Sequence, residues 1–195
     1  MRFQTDISKD EINDMPLLRY EGKVTLVNNP DQVVPALEKI RQHDVAGFDT
    51  ETRPAFRKGQ RYDVALVQVA IPGEVFLFRL NSTGLTPDLA EYLANRSFKK
   101  VGVALHDDIK DLRRLRDFSP EGFVELGDMT KVLGIKKTGL RNLAAIILGG
   151  RVSKSQQTSN WEKPELTEGQ IRYAATDAWV SIRIYEELLE EKLAE

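Results

Sequence analysis

Cysteine is absent from the 195 residues. That excludes a disulfide scaffold, a Cys-ligated zinc or iron–sulfur centre, and thiol catalysis. Histidine is scarce: His43 and His106 stand far apart, which argues against a His-rich metal site. No apolar run is long enough to span a bilayer, and Met1-Arg2-Phe3-Gln4-Thr5-Asp6 opens no signal peptide. The expected address is therefore the cytoplasm, away from membranes. Gly/Ser linkers, low-complexity tracts and internal repeats are also lacking, so a single domain is expected over residues 1–195, with a core at 23–190 and an N-terminal extension at 1–22. A chain with 41% hydrophobic and 30% charged residues can bury a sizeable core at this length.

Net charge is only −2, which announces no polyanion partner, but the charge is unevenly spread. Met129 to Trp161 contains no Asp or Glu, while Lys131, Lys136, Lys137, Arg141, Arg151 and Lys154 lie within it. Acid gathers instead at Glu186, Glu187, Glu190, Glu191 and Glu195. The acid-free stretch reads either as a solvated face or as a footprint for a polyanion.

Hydrophobic periodicity alternates between strand and helix. Ser8-Lys9-Asp10-Glu11 predicts a short capped helical turn, Lys23 to Val27 a short strand, and Asn29-Pro30-Asp31 a helix start followed by Val33, Val34, Leu37 and Ile40. Val45 to Glu51 reads as a strand whose apolar start gives way to acids. Ala65 to Ala70 and Val75 to Phe78 read as a hairpin across Pro72-Gly73. Leu89 to Leu93 is helical, Lys100 to Leu105 a strand, Ile109 to Leu115 a helix, and Phe123 to Leu126 a short strand. A helix over Leu140 to Leu148 stops at Gly149-Gly150, and Ile171 to Leu189 traces one face of a long helix. Such alternation implies an α/β fold with a mixed sheet covered by helices on both faces.

Three groups of acids suggest chemistry. Asp49 and Glu51, two apart on one strand, project to the same face near the strand's C-terminal end, where α/β sheets bind ligands. Paired carboxylates repel unless a hard divalent cation neutralises them, although a strand end also accommodates two solvated acids. Tyr173 and Asp177, spaced i and i+4, share one flank of the long helix. Asp107 and Asp108 follow the strand Val101-Gly102-Val103, where acids equally suit a helix N-terminus.

The order of these segments is more telling than any one of them. F-D-T-E, then V-G-V-A-L-H-D-D, then S-N-W-E-K-P-E-L-T-E-G-Q-I-R-Y-A-A-T-D-A resembles the DEDD exonuclease superfamily in its tyrosine variant, in its ribonuclease D and Werner-syndrome-helicase exonuclease branches. The likeness runs from about Val45 to Tyr185. It implies a ribonuclease-H-like fold with a five-stranded mixed sheet whose second strand is antiparallel. It also implies a 3′-5′ exonuclease that cuts single-stranded or 3′-ended DNA or RNA into nucleoside 5′-monophosphates. The metal ligands implied are Asp49, Glu51, Asp108 and Asp177, holding two divalent cations, Mg²⁺ or Mn²⁺, with Asp107 as a rival for Asp108. Tyr173 would orient the attacking water. The expectation from the resemblance is that the family's helical nucleic-acid-binding domain has no counterpart after the third motif.

Further residues suggest contacts to the strand. Arg53, Phe56 and Arg57 interleave cations with an aromatic directly after Glu51, and Lys136, Lys137, Arg141 and Lys154 supply the acid-free charge. Trp161 reads either as a base-stacking platform or as a packing anchor. The competing function is a catalytically weak ribonuclease-H-like nucleic-acid-binding module.

Overall fold

The computed structural model describes residues 3–194. Met1, Arg2 and Glu195, which belong to the N-terminal and acidic C-terminal readings above, lie outside the described residues. Ser8 caps helix α1 (Lys9–Asp14) through a reciprocal pair of bonds: its side chain accepts from the Glu11 N–H, and Glu11 accepts from the Ser8 N–H at 2.8 Å. Strand β1 (Lys23–Val27) leads into a 3₁₀ turn at Pro30–Gln32 and helix α2 (Val33–Ile40). Strands β2 (Val45–Thr52), β3 (Val64–Ile71) and β4 (Glu74–Arg79) then run as a meander, with Pro72-Gly73 making the tight turn that the sequence predicts. Gly73 supplies the positive φ of 81° that this turn requires.

Short helix α3 (Leu80–Thr83) and α4 (Pro87–Ala94) precede β5 (Lys99–Gly102), α5 (Leu105–Leu115), β6 (Phe123–Glu125) and α6 (Leu126–Lys131). Helix α7 (Leu140–Leu148) ends on left-handed Gly149, as its sequence implies, and α8 (Glu168–Ala194) closes the fold. The strand expected over Lys100 to Leu105 is cut short. It ends at Gly102, because Ala104 adopts a left-handed conformation (φ 59°, ψ 35°) and Leu105 already begins α5.

The strands form one sheet in the order β1-β4-β3-β2-β5-β6. β3 pairs antiparallel with both neighbours, while the β1–β4, β2–β5 and β5–β6 pairs are parallel. Counting from β2, the reversed strand is the second, as the resemblance implies. Its count of five is corrected to six, because β1 adds a parallel edge strand beside β4.

Helices cover both faces of the sheet. On one, α2, α4 and α5 contribute Leu37, Leu89 and Leu112 to a core with Phe48, Val69 and Phe76. On the other, α7 and α8 bring Leu143, Ala174 and Ala178 against Leu66, Ala70 and Leu77. Segment 3–22 is closely integrated with this second core. Ile7, Ile12 and Tyr20 are buried in it, the Tyr20 N–H donates to Thr176 Oγ1 at 3.1 Å, and the Leu18 N–H donates to the Arg151 carbonyl at 2.8 Å.

Lys100 has no exposed surface; its Nζ donates to the Asn95 carbonyl at 2.9 Å and the Tyr92 carbonyl at 3.3 Å, and lies over the rings of Phe123 and Tyr92. Burial pulls its pKa down to about 8. Gly47 of β2 lies so close to α8 that a Cβ there would meet the Ala178 carbonyl oxygen at 2.0 Å. Among the described residues, no helix is long and apolar enough to cross a membrane.

Candidate active site

Strand alternation sends Asp49 and Glu51 toward α8, where Asp177 meets them. Carboxylate oxygens from the three residues all lie within 4.8 Å of one another. The small contact at Gly47 accounts for the closeness: with no side chain there, the Ala178 backbone settles onto β2 and brings its neighbour Asp177 to the strand.

Asp108 enters from the other side. Helix α5 buries Leu105 and Leu112, and Asp108 lies on the same flank, three residues after one and four before the other. Its carboxylate accepts a short hydrogen bond from the hydroxyl of Thr50, the residue between the two strand acids. Asp108 also adds negative potential at Asp49 and Glu51, whereas Asp107 is exposed and acts electrostatically on Asp108. The structure therefore brings Asp108, rather than Asp107, beside the cluster.

The acids carry a large electrostatic strain. Burial first, then the charges of Asp177 and Asp108, pushes Asp49 well above the usual carboxylate range. Glu51 is pushed up to about 10 by burial and by Asp49, Asp177 and Asp108. Burial raises Asp177 to about 7 against a hydrogen bond with Tyr173, and raises Asp108 to about 6 against its bond from Thr50. Carboxylates crowded this closely fit hard divalent cations, whose oxygen-ligand preference matches this donor set.

This strain has a pH consequence. Folded-state values above the unfolded value of about 4 mean that these acids favour folding in their protonated form. In chelator, their contribution is full below pH about 4 and is lost as pH rises through about 6 at Asp108, about 7 at Asp177 and about 10 at Glu51. Thermal melts across that range should show a falling unfolding temperature, and added Mn²⁺ should flatten the fall. A chelated protein whose melting is insensitive to pH above 5 would contradict the crowding.

Asp49, Glu51, Asp177 and Tyr173 line a cleft of about 420 Å³, together with Ala104, Arg141, Asn142, Ser153 and Lys154, while Asp108 lies outside its lining. Burial and the nearby carboxylates hold the Tyr173 phenol well above its ordinary pKa, so it keeps its proton. Trp161 is completely buried and packs against Tyr173 with ring centroids 6.0 Å apart. That corrects the base-stacking option: Trp161 anchors the tyrosine and presents nothing to a nucleotide.

The basic stretch divides. Arg141 and Lys154 reach the cleft. Lys137 pairs with Asp6 at 3.0 Å and donates to the Ile7 carbonyl, and the Lys136 N–H donates to the Thr5 carbonyl, so this pair ties down the N-terminal segment and lines no part of the cleft. Arg53, Phe56 and Arg57 line a separate 440 Å³ depression with Tyr62 and Asn160. Arg53 stacks on Tyr62 at 4.6 Å and pairs with Glu162 at 3.1 Å, while Phe56 is 81% exposed.

Two parts of the site escaped the sequence reading. Glu125 holds two helix starts, accepting from the Leu105 and Gly127 N–H groups, each at 2.9 Å. Ala104 takes a left-handed conformation at the cleft wall, a costly one for a residue with a Cβ. An acid followed by Leu-Gly-Asp was the available signal for the first; nothing in the local sequence signals the second.

A family model described as a 3′-5′ exonuclease matches residues 24–193. The chain belongs to the 3′-5′ exonuclease family. The chain is 33% identical over 193 residues to the bifunctional 3′-5′ exonuclease/ATP-dependent helicase WRN of Mus musculus. That alignment covers 93% of the exonuclease chain and 14% of WRN, so the chain spans a small part of that relative's length. The Aedes aegypti Nibbler EXO domain superposes with a TM-score of 0.80 at 24% identity, over 90% of this chain and 91% of that one. Escherichia coli RNase D, an exoribonuclease, superposes with a TM-score of 0.77 at 21% identity, over 88% and 46%. The last two likenesses show a shared ribonuclease-H-like fold.

Proposed function

We propose that the chain is a single 3′-5′ exonuclease domain that hydrolyses phosphodiester bonds of DNA or RNA from the 3′ end and releases nucleoside 5′-monophosphates. The observation that carries this reading is the convergence of Asp49, Glu51 and Asp177 within 4.8 Å, in a cleft that also holds Tyr173 and the cations Arg141 and Lys154. Asp49, Glu51 and Asp177 would hold one divalent cation, and Asp49 with Asp108 a second, Mg²⁺ or Mn²⁺. When bound, these ions supply neutralising charge and Lewis acidity toward the phosphate.

The remaining work falls to the chain's own residues. Tyr173, protonated and anchored by Trp161, has a hydroxyl that positions the attacking water by hydrogen bonding. A phenol that holds its proton this firmly is a poor general base. Arg141 and Lys154 grip backbone phosphates, and Arg57 and Phe56 hold the strand further along, in the depression beside Arg53.

Tyr173→Phe should slow single-turnover cleavage at saturating enzyme by about 10²-fold, with strand and Mn²⁺ affinity unchanged. An unaltered rate would reduce Tyr173 to a packing residue. The function as a whole is tested by digesting matched 5′-labelled DNA and RNA strands with Mg²⁺ or Mn²⁺. A one-nucleotide ladder with mononucleotide products supports it and reveals the sugar preference; strand binding without any ladder would favour the binding-module reading.

A further inference from the structure

Every residue of β3 is buried, and all but one are apolar. The exception is Gln68, which has no exposed surface, and neither its Nε2 nor its Oε1 has a hydrogen-bond partner. Native cores rarely leave both ends of an amide unpaired. Its place in the sheet is specific: Gln68 stands directly opposite Asp49 on β2 and opposite Leu77 on β4, on the face covered by α8.

The adjoining row on the same face runs Glu51, Leu66, Arg79. Arg79 is 4% exposed, and its two terminal nitrogens donate to the Lys163 and Pro164 carbonyls, while its Nε–H is buried without a partner. A row with an unpaired donor thus lies beside a row with an unpaired amide and a ligand carboxylate. Directly opposite side chains on paired strands have Cβ atoms about 5 Å apart, and diagonal ones about 7–8 Å, within reach of Gln and Arg.

We propose that Gln68 is a positioning residue that bridges Arg79 to Asp49. The bridge forms when the Gln68 amide turns so that its Oε1 accepts from the Arg79 Nε–H and its Nε2 donates to the Asp49 carboxylate, bonds that its orientation in the structure does not make. It fixes Asp49 in the orientation that faces Glu51 and Asp177. An amide is the one side chain of this length that offers an acceptor at one end and a donor at the other. A bond of this kind to a metal-ligating carboxylate raises cation affinity by holding the ligand ready. The inference rests on the proposed ligand role of Asp49.

The test is calorimetric titration of Mn²⁺ into the parent and into Gln68→Met, alongside melting temperature in chelator. Gln68→Met keeps the side-chain length and removes both polar atoms, so it should fold with undiminished stability yet bind Mn²⁺ about 10-fold or more weakly. Cleavage should fall at limiting Mn²⁺ and recover in large part at saturation. Equal Mn²⁺ affinity in parent and variant would overturn the proposal, as would lowered stability with affinity intact, which marks a packing role. If Gln68→Met does not fold, Gln68→Glu carries the test: it can still accept from Arg79 but repels Asp49, and unchanged affinity there is equally fatal. Should neither variant fold, Gln68 is a core residue and the proposal fails. A parent that binds no Mn²⁺ would instead sink the ligand reading of Asp49.

Discussion

Asp49→Asn should yield a protein that is folded, more heat-resistant in chelator than the parent, and inactive by about 10³-fold or more. Both halves follow from one residue. Asp49 is half-buried beside Asp177, Asp108 and Glu51, and each of those charges raises the free energy of the folded state when the others are ionised. An amide of the same shape is neutral in the folded and the unfolded chain, so folding no longer has to protonate or crowd this acid, and the fold gains. The same change takes away the carboxylate that stands at the centre of the site. The pair of measurements is a melting curve in chelator and the labelled-strand ladder with Mn²⁺. Near-normal cleavage would displace Asp49 from the mechanism, and inactivity accompanied by a lower melting temperature would point to misfolding rather than lost chemistry.

Gly47→Ala should damage the site from behind, without touching any acid. The added carbon would lie 2.0 Å from the Ala178 carbonyl oxygen and 3.0 Å from the Ile182 nitrogen, both backbone atoms of α8. Backbone cannot rotate out of the way as a side chain does, so the helix must lift from β2. The cost should be about 1–3 kcal/mol of stability, the usual range for overpacking a filled core. Asp177 sits next to Ala178 and Asp49 two residues from Gly47, so lifting the helix separates carboxylates that now lie within 4.8 Å. A displacement of about 1 Å is enough to cost about 10²-fold in rate. Denaturant unfolding and cleavage measured well below the melting temperature separate the two effects. Full activity in a destabilised Gly47→Ala protein would show that α8 can yield without moving Asp177.

Much of this was legible in the sequence because it depends on local periodicity. Alternation placed Asp49 and Glu51 on one side of β2, and the i, i+4 step placed Tyr173 beside Asp177. The choice of Asp108 over Asp107 came instead from its spacing after Gly102-Val103 in the resembled motif; the structure adds the helical phase, since Leu105 and Leu112 mark the buried flank of α5 and Asp108 shares it. Most of what the sequence left open is non-local. Trp161 became an anchor because it packs against Tyr173, twelve residues away along the chain but adjacent in space. Lys137 left the polyanion footprint because its partner, Asp6, comes from the opposite end of the sequence. The strand that overran to Leu105 stopped at Gly102 because the chain turns through a left-handed Ala104, and nothing about an alanine announces that conformation. The six strands were individually readable; which one lay at the outer edge was not.

Lys100 has a consequence for covalent chemistry. An ε-amine with no exposed surface, held by two carbonyls and two rings, is inaccessible to acylating reagents and lysine-modifying enzymes while β5 is in place. Acylation therefore reaches it only in a chain that has already opened around β5. The product is larger, uncharged and left with a single donor, so it cannot resume its place between Tyr92 and Phe123 or satisfy both carbonyls. A brief excursion is thereby made permanent, and the modified fraction records how often this part of the sheet has come apart.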